Sequence, residues 1–328
     1  MIPTGAMRRV VGAWPVLPVS LSILGLLLPF ATRALASYTG SFVWALDLAA
    51  HWQMAFAFAL IVCVPFAARR HRSGWWWLAL AALPWCTASP TLPAAPSGAA
   101  VALVVAEANV NADNRNPAPL RTWLDAQRND IVVLHELTPA YAGMLLRDER
   151  RWPHRALSPA DSPFGVGLLS SFPLRDVRRF DGQAGLALLI ATVDLPQGHV
   201  RVAAVHPMPP FAPGWRERRD RVLRILSHER DAGLPLLVVG DLNATPWSTA
   251  LTGGTAGDLR RATPLTPTWT PFPPLPLGLP IDHVLASPQW QRVDAARGPD
   301  IGSDHRPIRV ALALSVASPV APAREGMP

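Results

Sequence analysis

Apolar positions are unevenly distributed along the chain. Three apolar runs fill the first ninety residues, at about 10–32, 42–68 and 73–89. The first carries no charge and is long enough to cross a hydrocarbon core of about 30 Å as a helix. The second is interrupted only near its start by Asp47 and His51. These two lie one helical turn apart, and such a pair is expected in the outer headgroup zone. The third is short but holds Trp75, Trp76, Trp77 and Trp85, as suits a segment anchored at both interfaces. The pattern predicts an anchor of three transmembrane helices over residues 1–89. Residues 90–98 lie in a Pro-, Ala- and Ser-rich stretch and read as a semi-rigid linker. Residues 317–328 read as a disordered tail.

From residue 99 to residue 316 the pattern changes to short apolar runs separated by polar segments. Strands are predicted at Val101 to Ala106, Ile131 to His135, Gly165 to Ser170, Leu186 to Asp194 and Val200 to His206. Three more follow at Pro235 to Asp241, Ile281 to Ala286 and Ile308 to Leu314. Helical spacing occurs near Pro119 to Arg128 and across Trp215 to Arg230. The latter places Val222, Ile225 and Leu226 on one face. Its arginines read as a solvated face with Glu217, Asp220 and Glu229 as local partners. So many strands with so few helices predict an α/β architecture of two packed sheets covered by helices. Thr263 to Pro280 is Pro-rich and contains Trp269 and Phe272. It reads as a stiff apolar loop over a site, as one resting on the membrane, or as a plain surface connection in polyproline conformation.

Charge alters the picture less than its total suggests. The net charge is +7, and every basic residue is an arginine. Six arginines face one aspartate in residues 1–98, whereas 23 arginines nearly balance 21 acidic residues in 99–316. The excess therefore belongs to the apolar segments' flanks and is a poor argument for a nucleic-acid partner. Arg8 and Arg9, with Arg69, Arg70 and Arg72, mark the cytoplasmic ends, so three spans deliver everything after residue 90 to the outside. Reading residues 1–36 as a signal peptide cleaved after Ala34-Leu35-Ala36 leads to the same side. Both cysteines, Cys63 and Cys86, fall in the apolar segments, so no disulfide framework exists in 99–316.

Candidate chemistry gathers at strand ends, where side chains from distant positions converge on one rim of a layered fold. Asn109, Glu136, His206, Asp241, Asn243, Asp282, Asp304 and His305 all lie at such positions. Asp241 and Asn243 stand two residues apart on one side of an extended segment. The first could bind or deprotonate a water, and the second could orient a phosphate oxygen. Asp304 and His305 pair a hard oxygen ligand with a titratable ring, which Asp282 could hold in one tautomer.

These residues stand in the motifs AEANV, LHELT, AAVHP, VVGDLNATP, PIDHV and GSDHRP, with GVGLLSSFP between the second and third. In them the chain resembles the endonuclease/exonuclease/phosphatase superfamily over nearly all of 99–316. With its leading spans it is also similar to a bacterial membrane subset that includes the vancomycin-resistance VanJ-type proteins. The resemblance implies a four-layered α/β sandwich and hydrolysis of a phosphate ester by in-line attack of water. It implies Asn109, Glu136 and Asp304 as ligands of Mg²⁺ or Mn²⁺, to which oxygen and amide donors are suited. By the same analogy Asp241 positions the water and Asn243 holds the phosphate. His206 and His305 stabilise charge in the transition state, and Asp282 orients His305.

Two departures weigh against a nuclease. Abasic-site endonucleases of this family carry an acid two residues after the first Asn, where this chain has Asn111, and the Tyr that nucleases often use is missing from its place. The expected substrate is therefore a phosphate ester, lipid-linked if tethering is a guide, with the lipid bilayer as partner of the N-terminal helices. An extracytoplasmic DNA or RNA nuclease is the alternative. A binding or sensing module without catalysis would have lost Glu136, Asp241 or His305, and all three are present. His135, His154, His199, His228 and His283 are assigned no role.

Overall fold

The computed structural model describes residues 16–69, 72–147, 150–180, 186–228, 233–270 and 278–315. The expected tail, 317–328, and the start of the first expected span lie outside the described residues.

The N-terminal apolar runs form α1 (Val16–Ala34), α2 (Ser41–Ala50), α3 (Gln53–Ala68), a 3-10 helix (Arg72–Ala82) and the short α4 (Leu83–Thr87). Val19 and Leu26 of α1 pack against Leu60 and Val64 of α3. Leu17, Leu21 and Leu24 point outward along one side of α1, and Phe30 is exposed on another. Among the described residues α1 alone is long and apolar enough to cross a membrane, and α2 with α3 passes only as one span bent by 62°. The third expected span, at about 73–89, contains the 3-10 helix and α4 in place of one long α-helix.

The rest is a sandwich. One sheet contains β1 (Leu103–Asn109), β2 (Ile131–His135), β3 (His154–Ser158), β4 (Val166–Ser170), β11 (Trp290–Arg297) and β12 (Ile308–Leu314), ordered β11-β12-β1-β2-β4-β3. The other contains β5 (Leu174–Phe180), β6 (Leu186–Leu195), β7 (Gly198–Pro207), β8 (Leu236–Asp241), β9 (Arg260–Arg261) and β10 (Asp282–Ala286), ordered β5-β6-β7-β8-β10-β9. Each sheet has one parallel pair, β1 with β2 and β7 with β8, among antiparallel neighbours. Val105, Val133 and Leu168 of the first sheet interlock with Leu189, Val202 and Val239 of the second. Strands buried on both faces read as continuous apolar runs, which is why the central ones are visible in the sequence. The edge strands β3, β5, β9 and β11 are not, because they alternate partly exposed polar residues, such as Arg175, Arg178 and Arg179 of β5.

Helices cover both outer faces and complete the four layers. Leu120 and Leu124 of α5 (Ala118–Asp125) and Tyr141 of α6 (Pro139–Leu145) pack on the first sheet. Leu223 and Leu226 of α7 (Pro213–His228) and Leu251 of the one-turn α8 (Thr249–Thr252) pack on the second. Ile225, expected on the buried face of α7, is 56% exposed, and Leu223 takes its place.

The N-terminal helices dock directly on this sandwich. Asp47, expected among lipid headgroups, is instead sealed against α7, where its carboxylate meets Arg216 at 3.4 Å and Arg219 at 3.1 Å. The reading of the α7 arginines as a solvated face fails for these two, while Asp220 does serve Arg219 as the expected local partner. His51 Nδ1 lies 3.0 Å from Thr245 Oγ1, and the Trp44 indole donates to the Pro210 carbonyl at 2.7 Å. The linker is pinned too: Thr91 and Ala94 bridge to Arg261 and Arg292, and Leu92 is buried.

Candidate active site

The parallel pairs bring the C-terminal ends of β1, β2, β7 and β8 to one rim. Antiparallel β10 begins there, with Asp282 in register opposite Asp241. Gly240 is the residue that lets β8 reach this rim. Its φ of 152° puts any Cβ into the Val205 carbonyl oxygen and the His135 ring. The chain then turns sharply through Asn243, whose φ is 47°.

All eight expected residues occur at this rim. The amide of Asn109 donates to Asp241 Oδ2 at 3.2 Å and to Glu136 Oε1 at 3.0 Å. The same Asp241 oxygen lies 3.5 Å from His206 Nε2 and 3.6 Å from His305 Nε2. Each ring is held from behind, His206 by donating Nδ1–H to the Pro163 carbonyl and His305 by donating Nδ1–H to Asp282 at 3.0 Å. Asn243 donates its backbone N–H to Asp241 Oδ1 and its amide to the Pro207 carbonyl.

Burial raises the Asp241 carboxyl above its ordinary range; Asp282 adds to this, and the nearby His305 and His206 oppose it. Burial alone would lower His305, but the carboxylates of Asp282 and Asp241 reverse that and hold it at about 10. His305 is therefore a protonated donor at neutral pH. Asp241, Asp282 and His305 offer donor atoms within 4.8 Å of one another, a spacing a metal could use. Both ring nitrogens of His305 face carboxylates, Asp282 at 3.0 Å and Asp241 at 3.6 Å, so the trio forms an ion-pair cluster here.

The oxygen donors around Glu136 fit a hard divalent cation better. Glu136 itself sits at φ 55°, a strained conformation for a non-glycine residue of the kind that collects at functional sites. Its second oxygen accepts the Ala112 N–H at 3.0 Å. Asp304 is exposed and accepts from Asn111 at 2.8 Å and from the Trp269 indole at 2.9 Å. Burial would raise Asp304, but His305 and these two bonds outweigh it and hold the carboxyl below its ordinary range. Asparagine amides and partly open carboxylates make a set suited to Mg²⁺ or Mn²⁺, not to a closed thiolate site.

Several residues belong to the site without having been read as members. Asn111, noted in the sequence only as a departure, holds Asp304. Trp269 comes from the Pro-rich segment, so the reading of that segment as a loop over the site holds for its described part; residues 271–277 lie outside the described residues. His135 lies edge-on to His206 with ring centroids 5.6 Å apart, and burial pushes it well below its ordinary range. Glu107, one turn of the pleat before Asn109, is fully buried with neither carboxylate oxygen hydrogen-bonded to any described residue. Burial, then Asp282 and Asp241, push it well above the usual carboxylate range, which favours its neutral form. Only its position inside an apolar strand could have signalled this.

A cavity of about 600 Å³ opens on the cluster. Glu136, His206, Asp241, Asn243, Asp304 and His305 stand at its polar end, and Leu48, His51 and Trp52 of the N-terminal helices form part of its wall.

The sequence profile of the Endonuclease/Exonuclease/phosphatase family matches residues 106–305, which contain every residue of the polar cluster. No curated protein matches the chain. Among solved structures it is similar to an endonuclease/exonuclease/phosphatase from Beutenbergia cavernae, at 23% identity and TM-score 0.53, covering 65% of this chain and 72% of that one. It is similar to TDP2 from D. rerio complexed with single-strand DNA product, at 19% identity and TM-score 0.53, covering 64% and 98%. Sphingomyelinase C from Streptomyces griseocarneus matches at 17% identity and TM-score 0.50, covering 64% and 98%. At these identities the likeness is one of fold.

Proposed function

The chain belongs to the endonuclease/exonuclease/phosphatase family, whose members are metal-dependent hydrolases acting on phosphate esters, and we propose that it is a phosphodiesterase or phosphatase using in-line attack of water. The observation that carries this reading is the convergence of Asn109, His206 and His305 on one oxygen of Asp241.

In this mechanism Asp241 holds the attacking water and takes its proton, and its raised pKa makes it the stronger base. His305, charged and fixed by Asp282, and His206, fixed by Pro163, donate to phosphoryl oxygens as negative charge grows on them. Asn243 holds a further phosphoryl oxygen from the turn after β8. Glu136, with Asn109 and Asp304, would hold Mg²⁺ or Mn²⁺, which when bound offsets charge on the phosphoryl group.

We also read residues 1–89 as a multi-pass membrane anchor like that of VanJ-type proteins, with the catalytic domain extracytoplasmic. The outward apolar side of α1 supports an anchor. The orientation follows from Arg69, which caps α3 at the end remote from the docked break at His51–Trp52.

The test is hydrolysis by the full chain in detergent. Bis-p-nitrophenyl phosphate, p-nitrophenyl phosphate and plasmid DNA are offered with Mg²⁺, Mn²⁺ or EDTA, beside Asp241→Ala and His305→Ala. Metal-dependent turnover of the small esters, lost in both variants, is expected. Absence of turnover in a folded, metal-loaded protein overturns the reading. Preference for plasmid DNA would move the assignment to a nuclease, the reading suggested by the TDP2 fold with its DNA product.

A further inference from the structure

The cavity at the active site is built by two parts of the chain far apart in sequence. Its polar end belongs to the sandwich. Its remaining wall is largely apolar and includes Leu48 and Trp52 beside the break between α2 and α3, Met208 and Phe211 after β7, Trp215 at the start of α7, and Leu279. A binding site for a soluble nucleotide or sugar phosphate needs polar partners for the ester's organic part. Here that part meets indole, thioether and hydrocarbon.

The helix break is the second observation. Interrupted backbone at membrane depth is tolerated where it packs on protein or lines a cavity, because its polar groups otherwise lack partners. The 62° bend between α2 and α3 falls at His51–Trp52. It aims both residues into this cavity, and His51 is secured there by Thr245. Asp47, one turn earlier, locks the same segment to Arg216, Arg219 and the Thr249 N–H. The break is thus held in register with the catalytic cluster. On its other side α3 presents Phe58, Ile61 and Phe66 outward, so the cavity wall and the lipid-facing surface belong to the same helix pair.

We propose that the cavity takes a phosphate ester of a long-chain lipid, its phosphoryl group at Asp241 and its hydrocarbon chain along Leu48, Trp52 and Phe211. The inference rests on the phosphoesterase reading above and adds that the N-terminal helices are part of the substrate site, selecting for the apolar chain.

The experiment compares ethyl and tetradecyl p-nitrophenyl phosphates with the full chain in one detergent, at fixed mole fraction and with Mg²⁺. Wild type is compared with Trp52→Ala and with Trp76→Ala, whose side chain faces outward and is 82% exposed. Partitioning into micelles is common to all three proteins and cancels between them. We expect kcat/KM for the tetradecyl ester to exceed that for the ethyl ester by at least about tenfold, as burial of several methylenes requires. Trp52→Ala should shrink that ratio about tenfold through KM, and Trp76→Ala should leave it unchanged. A ratio equal in wild type and Trp52→Ala, with metal-dependent cleavage of the ethyl ester intact, overturns the lipid site and spares the phosphoesterase reading. If neither ester is cleaved, the phosphodiesterase half of that reading falls, both esters being diesters, and p-nitrophenyl phosphate decides the phosphatase half. Calorimetric binding of tetradecylphosphonate and ethylphosphonate then decides the lipid site: Trp52-dependent preference for the long chain supports it, and equal binding overturns it.

Discussion

Arg219 Nη2 donates to Asp47 Oδ2 at 3.1 Å across the junction of the N-terminal helices and the sandwich, with both side chains closed to solvent. The same guanidinium donates through Nη1 to the backbone carbonyl of Asn243 at 2.9 Å. One arginine therefore ties the helix that lines the cavity to the strained turn that follows Asp241. Burying this charge is supportable only because each partner is satisfied, Asp47 also accepting the Thr249 N–H at 2.7 Å.

Removing Asp47 should leave two buried guanidinium groups, Arg216 and Arg219, sharing Asp220 as their one carboxylate partner among the described residues. Asp47→Ala is expected to destabilise the protein by about 3–5 kcal/mol. The loss would be read as a fall in the midpoint of thermal unfolding in detergent. Activity should fall beyond what unfolding explains, because Asn243 loses its brace. An unchanged midpoint would show that the helices and the sandwich are not energetically joined.

Asp282→Asn should keep His305 in place but remove the charge that most favours its protonated form. The alkaline limb of the pH–rate profile, set by loss of the His305 proton, should move from near 10 toward neutrality. At neutral pH kcat/KM should drop about ten- to a hundredfold. A limb that stays where it was would detach His305 from the rate.

His283 gives an acid-side prediction for stability. Burial lowers it to about 4, and its ring is engaged by Thr263 and the Ala244 carbonyl. An unfolded histidine protonates near its ordinary value of 6.5, so between about 6.5 and 4 the unfolded state binds more protons than the native one. Its contribution is present above pH 6.5 and is lost as pH falls toward 4, by about 3 kcal/mol in all. Unfolding midpoints of wild type and His283→Asn should therefore converge as pH falls through that window.

Metal should stabilise the folded protein by mass action, raising the unfolding midpoint with added Mg²⁺ or Mn²⁺ and losing that gain in EDTA. Glu136→Gln keeps the shape and removes the charge, so the rise should require higher metal or vanish. An undiminished rise in Glu136→Gln would place the ion elsewhere, with Asp241 and Asp282 the next donors to test.

Much of the sandwich is legible in the sequence because strands buried on both faces must be continuous apolar runs. Leu236 to Asp241 and Ile131 to His135 show this plainly. The motif residues are legible for a related reason, since polar side chains that end such runs must reach a rim. Exposed edge strands carry no such pattern, and β5, with its arginines, resembles a loop in sequence. Glu107 is hidden because a single acid in an apolar strand looks like an exception, and only the packed neighbours explain why its carboxyl is shifted upward.

The sequence alone determined the apolar segments, the central strands and the order of polar residues at their ends, since each depends on local periodicity and on which face a residue buries. Tertiary structure decided what those residues meet. Asp47 and Arg219 are 172 positions apart, and no local pattern distinguishes an aspartate bound for a headgroup zone from one that will seal against an arginine. The apolar wall beside the polar cluster arises in the same way. Leu48 and Trp52 are ordinary members of an apolar run until docking of the broken helix turns them toward Asp241.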